Sequence, residues 1–219
     1  MNPEILFQDN DILIAVKPSG MPSQPDKTGD LDMLSYLESH CGQSLGLIHR
    51  LDRPVGGIMV FAKSKQAETN LNKQVQERTL EKAYLVVLCG KVIEQEGEMV
   101  DYLKKNARTN LSEAVPKSNP AGKRAVLRYN VLKELEWEGQ TLSLTEIHLE
   151  TGRHHQIRVQ TSARGLPILG DVKYNKVFLS KKRMPIALWS YRLKGTHPIT
   201  KKDWEFEKLP SSEPFSFFT

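Results

Sequence analysis

The apolar residues of this chain follow mainly the two-residue alternation that is typical of β-strands. Short apolar runs at 5–7 and 12–16 flank a turn at Asp9-Asn10, and a longer alternating run occupies 79–89. Further runs of strand length are found at 58–62, 124–135, 141–149, 186–193 and 204–206. The pattern predicts a strand-rich protein of the α+β class.

Three stretches have the spacing of helices instead: the leucines of 31–37, a four-residue repeat over 67–75, and residues 154–164. Asp30 precedes the first stretch and Ser64 precedes the second. Both residue types are favoured at the N-cap, because their side-chain oxygens accept hydrogen bonds from the first turn. We therefore expect helices that begin after Asp30 and after Ser64.

A polar segment at 104–122 interrupts the strand pattern. It is rich in Asn, Ser and Pro, residues that favour turns and irregular backbone. Connections of this length that lack secondary structure tend to be functional or disordered. The sequence thus predicts a long, mobile loop here.

Composition narrows the class of protein. With 39% hydrophobic and 26% charged residues, the 219-residue chain has the make-up of an ordinary globular protein, and its net charge of +5 is weak support for a polyanionic partner. Cys41 and Cys89 lack the number and spacing of a disulfide framework or a zinc site. No apolar run has membrane-spanning length and no signal-peptide pattern is recognisable, so we expect a cytoplasmic protein.

The densest group of chemically active residues lies between the apolar runs that end at Ile48 and begin at Ile58. Asp52 is flanked there by Arg50 and Arg53, and a nearby cation keeps a carboxylate ionised. An ionised carboxylate can act as a nucleophile or a base. From spacing alone, a solvated salt bridge in a turn between strands is the better-supported interpretation.

Several motifs, taken together, resemble those of the RluA-type pseudouridine synthases. They occur in the family's order: the opening hairpin with its KPSG turn (5–20), HRLDRPVGGIMVFAK (49–63), EKAY (81–84), TGRHHQIRV (151–159), LPILGD (166–171) and the His-Pro pair at 197–198. The resemblance covers nearly the whole chain, and ordered motifs are far more specific than any one of them. Gly56 stands where most members have Ser, and Asn175 where many have Gly, which affects loop geometry rather than the reaction.

The resemblance implies a mixed, mainly antiparallel sheet flanked by helices, with a central active cleft. It implies a single catalytic domain over residues 1–219, which we expect to be monomeric. The first hairpin already begins at Ile5, so we expect no N-terminal S4 domain of the kind that many relatives carry.

The activity implied by the resemblance is isomerisation of uridine to pseudouridine in ribosomal or transfer RNA. Asp52 is then the catalytic residue, Arg158 the partner that keeps it ionised and oriented, and Tyr84 the ring that stacks on the uracil. Nothing is oxidised and nothing leaves, so no cofactor is needed. Consistent with this, the sequence contains neither a phosphate-binding GxxxxGK[ST] nor a GxGxxG after a strand.

The resemblance also implies a flipped-out base, because a base inside an RNA helix is out of reach of the enzyme. Arg50 is expected to fill the vacancy in the RNA stack. The other residues that we assign to RNA binding or its support are His49, Arg53, Lys82, Arg153, Gln156, Lys181 and Lys182. Contacts that select the uridine are expected in the loops at 21–30, 104–122 and 173–185.

Two other functions are compatible with parts of this pattern. A non-catalytic RNA-binding protein with the same fold would need the basic surface, but not Asp52 together with Tyr84 and Arg158. A glycosidase-like hydrolase would need a second working carboxylate, which no matched motif supplies. The adjacent His154 and His155 lack the accompanying Cys or Glu of common zinc sites.

Overall fold

The computed structural model describes residues 2–176, 178 and 184–218. Its elements, in chain order, are β1 (Glu4–Gln8), β2 (Ile12–Lys17), α1 (Met33–Cys41), β3 (Gly46–Leu47), β4 (Gly56–Ala62), α2 (Lys65–Glu77), β5 (Glu81–Cys89), β6 (Glu96–Asn106), β7 (Leu111–Val115), β8 (Lys123–Trp137), β9 (Gln140–Leu149), α3 (Gln156–Ala163), β10 (Leu188–Thr196), β11 (Asp203–Glu207) and a 3-10 turn at Phe215–Phe218. The predicted α+β class is confirmed.

The elements fall into two compact units. The first contains the chain up to Lys82 together with Trp189–Pro210, and the second contains Ala83–Leu188 and the residues from Ser211 onward. No helix in the described ranges combines the length and apolar composition needed to cross a membrane. The single catalytic domain over 1–219 stays a prediction.

In the first unit the strands are ordered β1-β2-β4-β10, with β11 on β10 and β3 on β4. Strands β4 and β10 pair in parallel and the other pairs are antiparallel, so this sheet is mixed. Alternate residues of β2 and β4 point to one face, where Ile14 and Val60 pack with Leu71 of α2 and Leu193 of β10. This core fixes the strands that carry the two turns described below.

The two predicted N-caps have different outcomes. Ser64 caps α2 as predicted, since its Oγ accepts the N–H of Ala67 at 3.2 Å. The prediction for Asp30 is wrong: Asp32 caps α1, accepting the N–H of Ser35 at 3.0 Å. Asp30 is drawn into a salt bridge with Arg53 instead.

In the second unit the strands are ordered β5-β9-β8-β6-β7, and each neighbouring pair in this order is antiparallel. Strands β8 and β9 meet at Glu138-Gly139, where both residues have positive φ, as the tightest hairpin turns require. The predicted mobile loop at 104–122 is wrong. Strand β6 continues to Asn106 and pairs with β7, so much of this segment is a hairpin.

Helix α3 begins later than its sequence pattern suggests, at Gln156, because His155 adopts a left-handed conformation with φ of 54°. Its residues from Gln156 to Thr161 are all buried, including the polar side chains of Gln156, Arg158, Gln160 and Thr161. Val159 packs on Leu103 of β6 and Ala125 of β8. Helix α3 therefore presents polar groups to the interior of the second unit.

The presence of glycine at position 56 has a steric explanation. A Cβ atom at this position would lie 2.3 Å from Cζ3 of Trp189 and 2.9 Å from Oγ of Ser19. The indole of Trp189 is itself fixed, because its Nε1 donates to the carbonyl of Lys208 at 2.8 Å. The ring thus occupies the space that a serine at position 56 would need.

We expect Gly56→Ser to destabilise the protein by about 1–3 kcal/mol, the usual effect of overpacking. Trp189→Leu introduced into the Gly56→Ser variant should restore part of the lost melting temperature, with Trp189→Leu alone as the control. Thermal unfolding measures all three. A Gly56→Ser variant that melts like the wild type would mean that the indole moves aside freely.

Candidate active site

Asp52 lies on a short loop between β3 and β4 whose backbone is tightly constrained. The N–H of Val55 donates to the carbonyl of Asp52 at 2.9 Å, which closes a turn around Asp52. On the other side, the N–H of Leu51 donates to Oγ of Ser23 at 3.1 Å, and that hydroxyl donates to the carbonyl of Leu51 at 2.8 Å. Because Leu51 and Ser23 are buried, the residue that precedes Asp52 is firmly held.

The side chain of Lys17 connects the KPSG turn to the Asp52 loop through hydrogen bonds. Its side chain is fully buried, and its Nζ donates to the carbonyls of Pro18 at 3.0 Å, Met21 at 2.7 Å and Arg53 at 3.2 Å. An ammonium group has three donors, so each is used. The carbonyl of Arg53 also accepts the N–H of Gly20 at 2.9 Å. A buried cation thus holds the two turns together.

The charge of Lys17 acts on Asp52. Burial lowers the pKa of Lys17 to about 7, the Asp52 carboxylate opposes this shift, and the Arg53 guanidinium adds to it. The opposition from Asp52 means that the ammonium and the carboxylate attract each other. Sequence spacing had pointed to the flanking arginines as the source of this attraction.

The flanking arginines take other positions. The guanidinium of Arg53 forms salt bridges with Asp26, at 3.6 Å, and with Asp30, and it thereby fastens the 21–30 loop. The salt bridges of Arg53 thus go to the two carboxylates of that loop. Arg50 is exposed to solvent.

His49 is a neutral, half-buried support rather than a charged contact. Its Nε2 accepts the N–H of Val60 in β4 at 3.2 Å, so the ring proton is assigned to Nδ1. Burial, with a smaller contribution from the Lys82 ammonium, lowers the pKa of His49 to about 3. Burial also lowers the pKa of Lys82. Within the residues that the structure describes, Nδ1 of His49 is buried without a hydrogen-bond partner.

In the second unit, Arg158 is held by Asp171. Its Nε donates to one carboxylate oxygen of Asp171 at 2.8 Å and its Nη2 donates to the other at 2.7 Å, and both side chains are almost fully buried. Asp171 also accepts the N–H groups of Lys173 at 2.9 Å and Tyr174 at 3.3 Å. Such a bidentate pair fixes the plane of the guanidinium.

Gln156 belongs to the interior scaffold. Its Oε1 accepts from the hydroxyl of Thr151 at 2.8 Å and from the N–H of Arg153 at 2.9 Å, while its Nε2 donates to the carbonyl of Val126 at 3.0 Å. These bonds connect Gln156 to the 151–153 loop and to β8, as a supporting residue would be. Arg153 is exposed, and its Nε donates to the carbonyl of Arg124 at 3.0 Å.

The remaining predicted site residues differ in their surroundings. Tyr84 is buried on β5, and Lys82, two residues before it and half-buried, points to the same side of the strand. Lys181 and Lys182 lie outside the described residues.

Asp9, Asp11 and His197 form a cluster with ligand atoms close enough to hold a metal ion. However, Nδ1 of His197 accepts the N–H groups of Ile199 at 3.3 Å and Thr200 at 3.0 Å. The ring proton therefore lies on Nε2, which donates to Asp9 at 2.9 Å. The arrangement is a hydrogen-bonded link between the first hairpin and the turn after β10.

The roles of three of these residues were not recognised in the sequence, although two of them lie in matched motifs. Lys17 belongs to the KPSG turn and Asp171 to the LPILGD segment, whereas Ser23 lies in an unmatched loop. A buried lysine with three carbonyl acceptors has no local sequence signal. The same is true of an Arg–Asp pair, because neither spacing nor composition states which carboxylate an arginine meets.

The family model for RNA pseudouridylate synthases matches residues 11–163 of the chain. The chain belongs to this family. Among curated proteins, YhcT, an uncharacterized RNA pseudouridine synthase of Bacillus subtilis, is 34% identical over 203 residues, which cover 90% of this chain and 65% of YhcT. Ribosomal large subunit pseudouridine synthase D of Neisseria meningitidis serogroup B is 32% identical over 222 residues, covering 93% of this chain and 57% of that protein. The chain spans less than two thirds of the length of these two relatives.

Solved structures agree with the pseudouridylate synthase fold. Human RNA pseudouridylate synthase domain containing 1 has a TM-score of 0.79 at 23% identity, over 95% of this chain and 84% of that one. Human RNA pseudouridylate synthase domain containing 4 has a TM-score of 0.73 at 24% identity, over 94% of this chain and 88% of that one. The mixed sheet with flanking helices that the family resemblance implied is thereby confirmed.

We expect the stabilising effect of Lys17 to depend on pH. The folded-state pKa of about 7 lies below the ordinary value of 10.5, so between these values the unfolded chain binds more protons than the folded one. The free energy of unfolding then rises with pH in this window, by at most about 1.4 kcal/mol per pH unit. Lys17→Met lacks the group. The unfolding free energy of the wild type minus that of Lys17→Met should therefore become more positive from pH 7 to pH 9.5. Denaturant titration at several pH values measures both. Parallel pH curves would contradict this.

We expect Arg158→Ala to destabilise the protein by about 3–5 kcal/mol, because it leaves the buried Asp171 carboxylate without its cation. Arg158→Ala combined with Asp171→Asn should lose less than the sum of the two single changes. Lys104→Ala, which removes the exposed 3.8 Å salt bridge to Glu113, is the control and should cost under about 1 kcal/mol. If Arg158→Ala melts like the wild type, the pair is not buried in solution.

Proposed function

We propose that this protein isomerises uridine to pseudouridine in an RNA, with Asp52 as the catalytic residue. The observation that carries the proposal is the rigid mounting of Asp52 in a chain of the RNA pseudouridylate synthase family. The backbone of its loop is fixed by Ser23 on one side and by the buried Lys17 on the other. A carboxylate held in this way can be aimed at one atom of a substrate.

The reaction breaks the bond between C1′ of the ribose and N1 of the uracil, and forms a bond between C1′ and C5. The proton lost from C5 is balanced by the one gained at N1, so no co-reactant is required. Cleavage of a glycosidic bond places positive charge on the sugar, and a carboxylate can stabilise that charge, bond to it or remove a neighbouring proton. Asp52 has one of these roles in the proposed mechanism.

Arg158 is proposed to orient the Asp52 carboxylate, and Tyr84 to stack on the uracil. A guanidinium carries five N–H donors in a rigid fork, and the pair with Asp171 involves two of its nitrogens. Asp171 would then set the direction in which Arg158 presents its charge. The burial of Tyr84 suits a ring that lies against a flipped base rather than one that projects into water.

The proposed substrate is a structured RNA whose target base is turned out of its stack. Arg50, exposed beside the Asp52 loop, would fill the vacancy, since its planar group can stack on bases. Exposed Arg153 would meet a phosphate, and Lys181 with Lys182 are assigned to phosphates as well. The relative named as a ribosomal large subunit pseudouridine synthase favours ribosomal RNA as the substrate class, with transfer RNA as the alternative.

A non-catalytic RNA-binding protein with this fold is the competing function. The distinguishing feature is Asp52, because RNA binding alone gives no reason to fix a carboxylate among the cations of a basic protein. An assay that measures both RNA affinity and pseudouridine formation distinguishes the two functions.

We expect Asp52→Asn to abolish pseudouridine formation while RNA affinity and melting temperature change little, because the change is nearly isosteric and removes one charge. Product is measured by tritium release from RNA labelled at C5 of uridine, with total RNA from a deletion strain as substrate. Asp11→Asn, a half-buried aspartate outside the loop, is the control and should retain activity. Turnover of Asp52→Asn within tenfold of wild type would remove Asp52 from the mechanism.

A further inference from the structure

We propose that Tyr174 is a positioning residue for Arg158 and connects it to strand β7 through a single hydroxyl group. This inference rests on the proposed function, because it takes Arg158 to orient the catalytic carboxylate. Tyr174 lies just beyond Asp171, in the segment where this chain departs from the family pattern at Asn175. Neither the sequence motifs nor the proposed mechanism gives its hydroxyl a role.

The hydroxyl of Tyr174 makes two hydrogen bonds to separate elements. It accepts the backbone N–H of Ser112 in β7 at 2.8 Å, and it lies 2.7 Å from Nδ1 of His155 at the start of α3. A tyrosine hydroxyl has one donor hydrogen and two acceptor lone pairs, so the imidazole tautomer sets the direction of the bond with Nδ1. His155 has a left-handed backbone, and α3 begins at the next residue.

The ring of Tyr174 supports Arg158 directly. The guanidinium carbon of Arg158 lies 5.2 Å from the ring centroid, within the range of a cation–π contact. The backbone N–H of Tyr174 donates to the same Asp171 carboxylate that binds Arg158. Tyr174 therefore contacts the guanidinium with its ring and the partner carboxylate with its backbone.

A second pair of contacts ties this arrangement to the β6–β7 hairpin. The hydroxyl of Ser112 lies 2.8 Å from Nδ1 of His154, and the rings of His154 and His155 stack with centroids 3.8 Å apart. Ser112 is paired in register with Lys105 of β6, an exposed lysine. A shift of the hairpin would thus move the Tyr174 hydroxyl and, through its ring, Arg158.

Packing alone does not require this hydroxyl. The ring of Tyr174 packs against the apolar cluster that contains Leu103 and Val159, and phenylalanine would fill that space equally well. The hydroxyl fixes the orientation of the ring, because its two hydrogen bonds hold the ring over the guanidinium of Arg158. Loss of the hydroxyl should therefore affect the reaction rate more than RNA binding.

The test is Tyr174→Phe, measured by single-turnover kinetics at saturating RNA and by RNA-binding titration. We expect the rate to fall about tenfold while the dissociation constant stays within twofold. Tyr129→Phe is the matched control, since it removes a tyrosine hydroxyl from the same unit outside this network, and its rate should stay within twofold of wild type. A Tyr174→Phe rate within twofold of wild type would overturn the proposal, as would a loss confined to RNA affinity.

A double-mutant cycle with Arg158→Lys shows whether Tyr174 acts through Arg158. If it does, adding Tyr174→Phe to Arg158→Lys should change the residual rate less than twofold. Additive losses would overturn the proposal even if Asp52→Asn is inactive. An active Asp52→Asn would instead refute the proposed function, so the two failures are distinguishable.

The His155 end of the network provides a test that does not depend on Tyr174→Phe folding. His155→Ala should reproduce the tenfold loss, because it removes the imidazole that forms a hydrogen bond with the hydroxyl. His155→Asn should recover most of the rate, since asparagine tolerates the left-handed backbone and its amide can donate to or accept from the hydroxyl. Equal rates for the two variants would contradict the proposal.

Discussion

The buried ammonium group of Lys17 is the interaction on which the rest of the candidate site depends. Removing a cation from water is unfavourable, so its three donors must find acceptors inside the protein. The acceptors are backbone carbonyls from the KPSG turn and from the residue after Asp52. Both turns must therefore take the path that brings these carbonyls to one point. The geometry around Asp52 follows from that requirement.

The second unit also contains a buried charge, and there the charge is paired with one of opposite sign. Helix α3 buries Gln156, Arg158 and Gln160, and each has hydrogen-bonding partners that belong to neighbouring loops or strands. For Arg158 the partner is a carboxylate bound through two oxygens. Buried polar groups of this kind cost free energy wherever they are left unpaired. Their value here is that they allow only one arrangement of α3, the 151–153 loop and the segment after Ile168.

The wrong sequence predictions have physical explanations. Residues 104–122 contain many turn-forming residues, but a strand edge at β6 offers hydrogen bonds that outweigh these local preferences. Asp30 and Asp32 both qualify as N-caps by residue type. The choice between them depends on Arg53, which lies 23 residues from Asp30 in sequence and takes its carboxylate for a salt bridge. In each case a partner that is distant in sequence overrides a local preference.

The sequence by itself determined the α+β class, most strands, the Ser64 cap and the ordered motifs that mark the family. These features repeat with a local period or occupy a contiguous stretch, so neighbouring residues are enough to recognise them. Tertiary structure decided which partner each charged group takes: Arg53 with Asp26 and Asp30, Arg158 with Asp171, and Lys17 with three carbonyls. Periodicity states which face a side chain occupies. Only the path of the loops decides which charges meet there, because electrostatic and hydrogen-bond energies depend on distances that sequence spacing does not specify.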